Sequence, residues 1–336
     1  MKKEIGSEFW SVPTGEKLNT LFKDNTRWFI SGTSALEYIL EELLQKQVLK
    51  TAAVPSWCCE CMIIPFLKKG IMVYFYDVYI GHNNQLICDY SSVGSCDLTL
   101  VVSYFGYTGQ KNIGTPSGTI LRDVTHSLFS RQYNDAQYYF GSLRKWAGFW
   151  TGGYAWTNSA WTNSVHIGNL EPKYVVLRRR AMSDKLAYLK GKSNSKAYLE
   201  LFEQGEDYLD GCNIVVGSIR DIEVAKSLDI DFIKSKRRTN AKELLKYLNN
   251  VAIFSELGEE DCPLFVPIVI PKEYRDALRS YLIKNNVYCP IHWGISEYHQ
   301  LSGFSKEIYD NELSVICDQR YNIKDMQYIV ELIKNF

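Results

Sequence analysis

Short apolar strands alternate with amphipathic helical stretches through the first two thirds of this chain, and that alternation restricts its fold more than any other feature. Ser34 to Leu44 reads as a helix, because Leu36, Ile39, Leu40, Leu43 and Leu44 recur at helical spacing. Ser34 and Glu37 have the spacing of a capping box at its start. Ala52 to Val54 reads as a short buried strand, Met62 to Lys69 as a helix, and Ile71 to Tyr76 as a strand. Leu98 to Ser103, Thr119 to Asp123 and Ala136 to Phe140 add three more strands. Strands alternating with helices imply an α/β fold with a mostly parallel central sheet flanked by helices. Ligands in such sheets sit at the carboxyl ends of strands.

From Lys173 onward the pattern turns helical and charged, with helices expected over 178–189, 196–208, 219–228 and 241–248. It alternates again from Leu264, which suggests a smaller C-terminal α/β domain with its boundary near residue 230. The expected division is 15–230 and 231–336, with residues 1–14 packing against the second. An apolar share of 46% over 336 residues supports a sizeable core. A formal net charge of zero argues against a general nucleic-acid or membrane binder. No apolar run reaches the roughly 18 residues that span a bilayer, and the charged start Met1-Lys-Lys-Glu lacks the apolar core of a signal peptide. Cytoplasmic residence is therefore expected. Nine scattered cysteines read as reduced thiols.

Four pieces of sequence carry chemistry when taken in order. Ser31-Gly32-Thr33-Ser34 opens a helix, and free N–H groups at a helix start make an anion site. An ordinary N-cap has the same appearance. Trp57 follows a strand and has a flat face to offer a planar ligand, although most tryptophans are simply core. Asp123 ends a strand, with His126 three residues on. A carboxylate buried there needs a partner such as a pyridinium; an exposed helix cap is the alternative. Lys145 follows the next strand together with Ser142, and Gly152-Gly153 come soon after. A lone loop lysine is ordinarily a surface residue, but a lysine and an aspartate at successive strand ends are what pyridoxal 5'-phosphate requires. The lysine holds the aldehyde as a Schiff base, and the aspartate keeps the pyridine nitrogen protonated. Such a lysine must be partly unprotonated, which burial and a neighbouring cation such as Arg144 would favour.

These residues resemble the DegT/DnrJ/EryC1/StrS family of pyridoxal-phosphate sugar aminotransferases. The resemblance rests on Ser31-Gly-Thr-Ser-Ala-Leu36, Val54-Pro-Ser-Trp57, Val102-Ser-Tyr-Phe-Gly106, Asp123-Val-Thr-His126, Ser142-Leu-Arg-Lys145, Gly152-Gly-Tyr154, Arg237-Arg-Thr-Asn240 and Tyr288-Cys-Pro-Ile-His-Trp293. It implies a fold-type-I transferase architecture and a homodimer with shared active sites. Lys145 would be the cofactor-bound lysine and proton carrier, and Asp123 would bind the pyridine nitrogen. His126 would lie near the ring hydroxyl, Trp57 would stack on the ring, and Gly32, Thr33, Ser34 and Ser142 would hold the phosphate. Glutamate as donor, a nucleotide-linked keto sugar as acceptor and a role in surface-polysaccharide biosynthesis are implied in the same way. Ser103 stands where members often carry histidine, and an Asn-Tyr-Arg stretch after the double glycine is missing. Some relatives dehydrate sugars, but that branch replaces the lysine with histidine, so Lys145 argues against it. A cofactor-free binding protein is the rival from another class.

Three other signals point elsewhere less strongly. Cys58-Cys-Glu-Cys61 contains a C-x-x-C, but no second ligand pair answers it, so no metal site is expected and a buried thiol patch beside Trp57 is the plainer reading. The basic run Lys234 to Arg238 reads as a solvated helix face or an anion contact. His292 and Trp293 read equally as cleft lining or as core.

Overall fold

The computed structural model describes residues 4–211 and 213–336, and Cys212 lies outside them. The chain is α/β with a mostly parallel central sheet flanked by helices. It forms two compact units, each drawn from two stretches: Met1–Gln47 with Tyr138–Ile230, and Val48–Gln137 with Asp231–Phe336.

In chain order, the first stretch carries β1 (Ile5–Gly6), β2 (Arg27–Phe29) and α1 (Gly32–Leu44). The second carries β3 (Thr51–Pro55), α2 (Ile64–Lys68), β4 (Met72–Ile80), β5 (Leu86–Asp89), β6 (Leu98–Val102), β7 (Lys111–Ile113) and β8 (Thr119–Asp123). The third carries β9 (Tyr138–Ser142), β10 (Gly153–Thr157), α3 (Pro172–Leu189), α4 (Tyr198–Asp210) and α5 (Ile219–Lys226). The last carries α6 (Ile230–Leu248), β11 (Phe265–Val269), α7 (Lys272–Lys284), β12 (Val287–Tyr288), α8 (Gly303–Asn311), β13 (Glu312–Ile316) and α9 (Ile323–Asn335).

In the first unit β10 lies between β2 and β9, antiparallel to both. Its helices α3 and α4 close on a core of Ala181, Met182, Tyr188, Leu189, Tyr198 and Phe202. In the second unit the order is β8-β6-β3-β4-β5-β7. Strand β6 pairs in parallel with both β3 and β8. All five of its residues, Leu-Thr-Leu-Val-Val, are buried, as a strand covered on both faces demands. In the same unit β11 and β13 form a separate antiparallel pair.

Two local expectations are corrected. The N-cap of α1 is Ser31, whose side chain accepts the Ser34 N–H at 3.1 Å, so the Ser34/Glu37 capping box does not form. The helix begins at Gly32 because Ser31 is still extended (φ −145°, ψ 165°) and its hydroxyl reaches back over the first turn. The basic run lies inside α6, where Arg237 is buried and donates to Gln319 Oε1 (2.7 Å), Leu264 O (2.9 Å) and Pro263 O (3.1 Å). With Asn240 bonded to the carbonyls of Asp318, Tyr321 and Cys317, Arg237 anchors α6 to the C-terminal loop, while the rest of the run is half-buried or exposed.

Candidate active site

The residues singled out from the sequence fall into two clusters, one in each unit. In the first unit the register sets Gly153 opposite Ser142 on β9 and opposite Phe29 on β2. That brings the Ser31 turn and Ser142 to the same end of the three strands. A side chain at Gly153 would collide with Ser31 O, so only glycine lets the turn come this close. On the other side of the turn, a Cβ at Gly32 would stand 3.5 Å from the Ser142 Cβ. Gly32 and Thr33 are the first two residues of α1, and their N–H groups have no acceptor within the helix. The start of α1 at Gly32 thus lies beside Ser142. Ser34 is otherwise engaged: its hydroxyl donates to Asn213 O (3.0 Å) and accepts from Val215 N–H (2.9 Å).

Lys145 ends a single 3-10 turn, Leu143–Lys145, directly after β9. The turn buries Leu143 and Trp146 and leaves Lys145 exposed, contrary to the burial expected from its chemistry. The segment is pinned on both sides. Leu143 N–H donates to Gly152 O (2.8 Å), Gly148 N–H donates to Ser11 O (2.9 Å), and the Thr151 hydroxyl and N–H both donate to buried Asp221. The neighbouring cation is also committed. Arg144 is ion-paired with Glu206, which accepts from Arg178 as well (3.0 Å). Burial is the largest influence and opposes ionisation of Glu206, but Arg144, Arg178 and Lys145 together outweigh it and hold the carboxyl below its ordinary range.

In the second unit Asp123 is the last residue of β8 and only 3% exposed. Its Oδ1 accepts the Thr125 N–H at 2.7 Å, a short local turn that fixes the carboxylate. The exposed-cap alternative for Asp123 therefore does not hold. His126 is buried one turn on and packs against the rings of Phe105 (5.1 Å), His292 (5.5 Å) and Trp293 (5.7 Å, stacked). Trp57 is fully buried; its Nε1–H donates to His292 O (2.6 Å) and one face stacks on Tyr104 at 5.0 Å. Beside it Cys58 is a buried thiol, pushed up by burial and by the charge of Asp123. Ser103, where a histidine is common in the family the sequence resembles, accepts from Arg122, whose guanidinium also grips Asp135 in a bidentate pair.

The expectation of all-reduced cysteines is corrected at one place: Cys59 and Cys61 form a disulfide, their Cα atoms 5.4 Å apart across the turn before α2. The six other described cysteines are buried thiols. Among the described residues no group of three His, Cys, Asp or Glu side chains is placed to hold a metal, and no helix is long and apolar enough to cross a membrane. Sequence reasoning missed Ser31 as the cap and the steric role of Gly153. It also left His292 and Trp293 undecided, and the aromatic cluster around His126 now includes both.

This architecture is the fold of pyridoxal-phosphate-dependent sugar aminotransferases. Helicobacter pylori PseC, an aminotransferase involved in the biosynthesis of pseudoaminic acid, superposes with a TM-score of 0.62 over 98% of this chain and 99% of its own, at 15% identity. A putative sugar aminotransferase from Streptococcus pneumoniae, solved in its PLP form, gives a TM-score of 0.62 over 97% and 92% at 15% identity. A DegT DnrJ EryC1 StrS aminotransferase from Brucella abortus gives 0.59 over 93% and 85% at 14%. No protein-family profile and no curated protein sequence matches the chain.

Proposed function

We propose that this protein is a pyridoxal-phosphate-dependent aminotransferase that transfers an amino group from an amino acid, glutamate first among candidates, to a keto group of a nucleotide-linked sugar. The observation that carries the reading is placement: Asp123 closes β8 and Lys145 follows β9, the ends of successive strands in a fold shared with aminotransferases. The residues fit the cofactor. The cradle of Gly32, Thr33 and Ser142 suits a phosphate, and a buried carboxylate at Asp123 suits a cationic ring nitrogen.

When bound, pyridoxal phosphate supplies the electron sink that lets a proton leave the substrate carbon. The chain does the rest. Asp123 would keep a proton on the pyridine nitrogen, and the Lys145 amine would hold the aldehyde and serve as the proton carrier. His126 would lie near the ring hydroxyl and Trp57 would stack on the ring. A catalytic lysine works best shielded from water, and Lys145 is exposed in the single chain; a homodimer with shared active sites would cover it. A cytoplasmic location, a place in surface-polysaccharide biosynthesis and the 15–230 and 231–336 division belong to the same proposal.

Purified protein should be yellow, with a visible absorbance band that Lys145→Ala abolishes and that added glutamate bleaches. Colourless protein that takes up no added pyridoxal phosphate overturns the reading. The second reading, a cofactor-free binding protein, has one observation on its side: Tyr104 already covers a face of Trp57.

A further inference from the structure

Within the second unit a buried chain of hydrogen bonds ends on the residues around His126. Glu312 opens β13 with its side chain fully buried. One carboxyl oxygen accepts the His292 N–H at 2.7 Å, and the other lies 2.5 Å from the Ser314 hydroxyl. The same hydroxyl is 2.8 Å from His292 Nδ1. The His292 ring meets His126 edge to face at 5.5 Å, and its carbonyl holds the indole N–H of Trp57. A single residue thus touches both aromatic groups assigned to the cofactor.

A hydroxyl has one hydrogen, and this gives the chain two settings. With Glu312 ionised, Ser314 donates to the carboxylate and accepts from an Nδ1–H, which leaves Nε2 of a neutral His292 as an acceptor. With Glu312 protonated, the carboxyl donates to Ser314, which then donates to Nδ1, and the hydrogen of His292 sits on Nε2. We propose that Glu312, Ser314 and His292 form a relay in which the proton on Glu312 sets the tautomer of His292, and that His292 in turn positions Trp57 and His126.

The surroundings place the switch in a useful range. Burial pushes Glu312 up to about 8, against the pull of the His292 N–H, the Ser314 hydroxyl and the Arg275 charge. Arg275, on α7, faces Glu312 through its main chain, donating to Glu312 O (3.4 Å) and Tyr309 O (2.9 Å), while its Nε is paired with Asp276. Cys289 is a buried thiol pushed up to about 12 by burial and by Glu312, so it stays protonated across the range. His126 faces His292 from the loop after β8.

The role toward the cofactor rests on the proposed function; the relay does not. Nitrogen-15 spectra of labelled histidine in the protein without added cofactor test it, with His292→Asn assigning the signal. The wild type should pass from the Nε2–H to the Nδ1–H tautomer as pH rises through about 8. Glu312→Gln, whose amide donates as the protonated acid does, should hold Nε2–H throughout, and Ser314→Ala should uncouple His292 from this transition. A wild-type His292 that keeps one tautomer from pH 6 to pH 9.5, or a Glu312→Gln protein that still switches, overturns the relay. Titration with pyridoxal phosphate then tests its reach: the wild-type dissociation constant should step across the same window and the Glu312→Gln constant should not. An identical step in both refutes the link to Trp57 and His126. No uptake by any of the proteins sinks the functional reading, and the imidazole spectra still decide the relay.

Discussion

Lys145 and Asp123 occupy equivalent places, each just at or past the carboxyl end of a strand, and their surroundings are opposite. Lys145 is exposed on a turn whose other charge, Arg144, is paired with Glu206. Asp123 is buried, its carboxylate fixed by the Thr125 N–H. Under the proposed function the two residues would also differ in what they still need: Asp123 is already shielded from water, whereas Lys145 would need the partner subunit to cover it. A carboxylate that holds a proton on a ring nitrogen acts most strongly where water does not screen it.

The largest effect should separate the two residues by kind. Lys145→Ala should abolish cofactor absorbance and turnover yet leave the melting temperature nearly unchanged. Asp123→Ala should lower turnover by about 10²–10³-fold and also destabilise the fold by about 1–3 kcal/mol, because the Thr125 N–H loses its buried acceptor. Equal melting temperatures for the two variants would break the comparison. Next, Gly153→Ala should cost about 1–3 kcal/mol or more, since its Cβ would meet Ser31 O. Phosphate affinity should fall with it, measured by titration with inorganic phosphate. A Gly153→Ala protein that folds and binds normally would remove the cradle from the first unit.

Smaller effects should test the ionic half against the aromatic half. Glu206→Gln leaves Arg144 and Arg178 without their shared carboxylate. Half of the Glu206 side chain is exposed, so the loss in denaturant unfolding should be about 1–2 kcal/mol and should shrink with added salt. In the second unit the sign with pH is set by Glu312. Its folded-state pKa lies above the usual carboxyl value, so the folded state binds more protons than the unfolded one between the two. Its contribution is present below the usual carboxyl value and is lost as pH rises toward about 8. The stability difference between the wild type and Glu312→Gln should fall by up to about 1.4 kcal/mol per pH unit in that window. A flat difference would mean that Glu312 is solvated in the folded chain.

Much of the scaffold is legible in the sequence because its signals are local. The helix at Leu36 to Leu44 and the strands at 98–102 and 119–123 follow from spacing of apolar residues along a few turns. The order of Gly32, Thr33, Ser142 and Lys145 along the chain is likewise written there. Other features escape. A single helix over Ile230–Leu248 was read as a basic lead-in and a shorter helix, because charges conceal the apolar stripe that buries Arg237. Strand β10 follows a double glycine and carries two large aromatics, and the sequence reading passed over it.

The sequence alone determined the alternation that makes the fold α/β and the strand-end positions of the lysine and the aspartate, since both depend on residues a few places apart. Only the tertiary structure decided which charges are buried and which side chains meet. Trp57 reaches the carbonyl of His292 across 235 residues, and Ser34 finds Asn213 across 179. Glu312 gains its relay only when β13 brings it under His292. Such contacts depend on how distant stretches pack, and residue spacing along the chain carries no record of that.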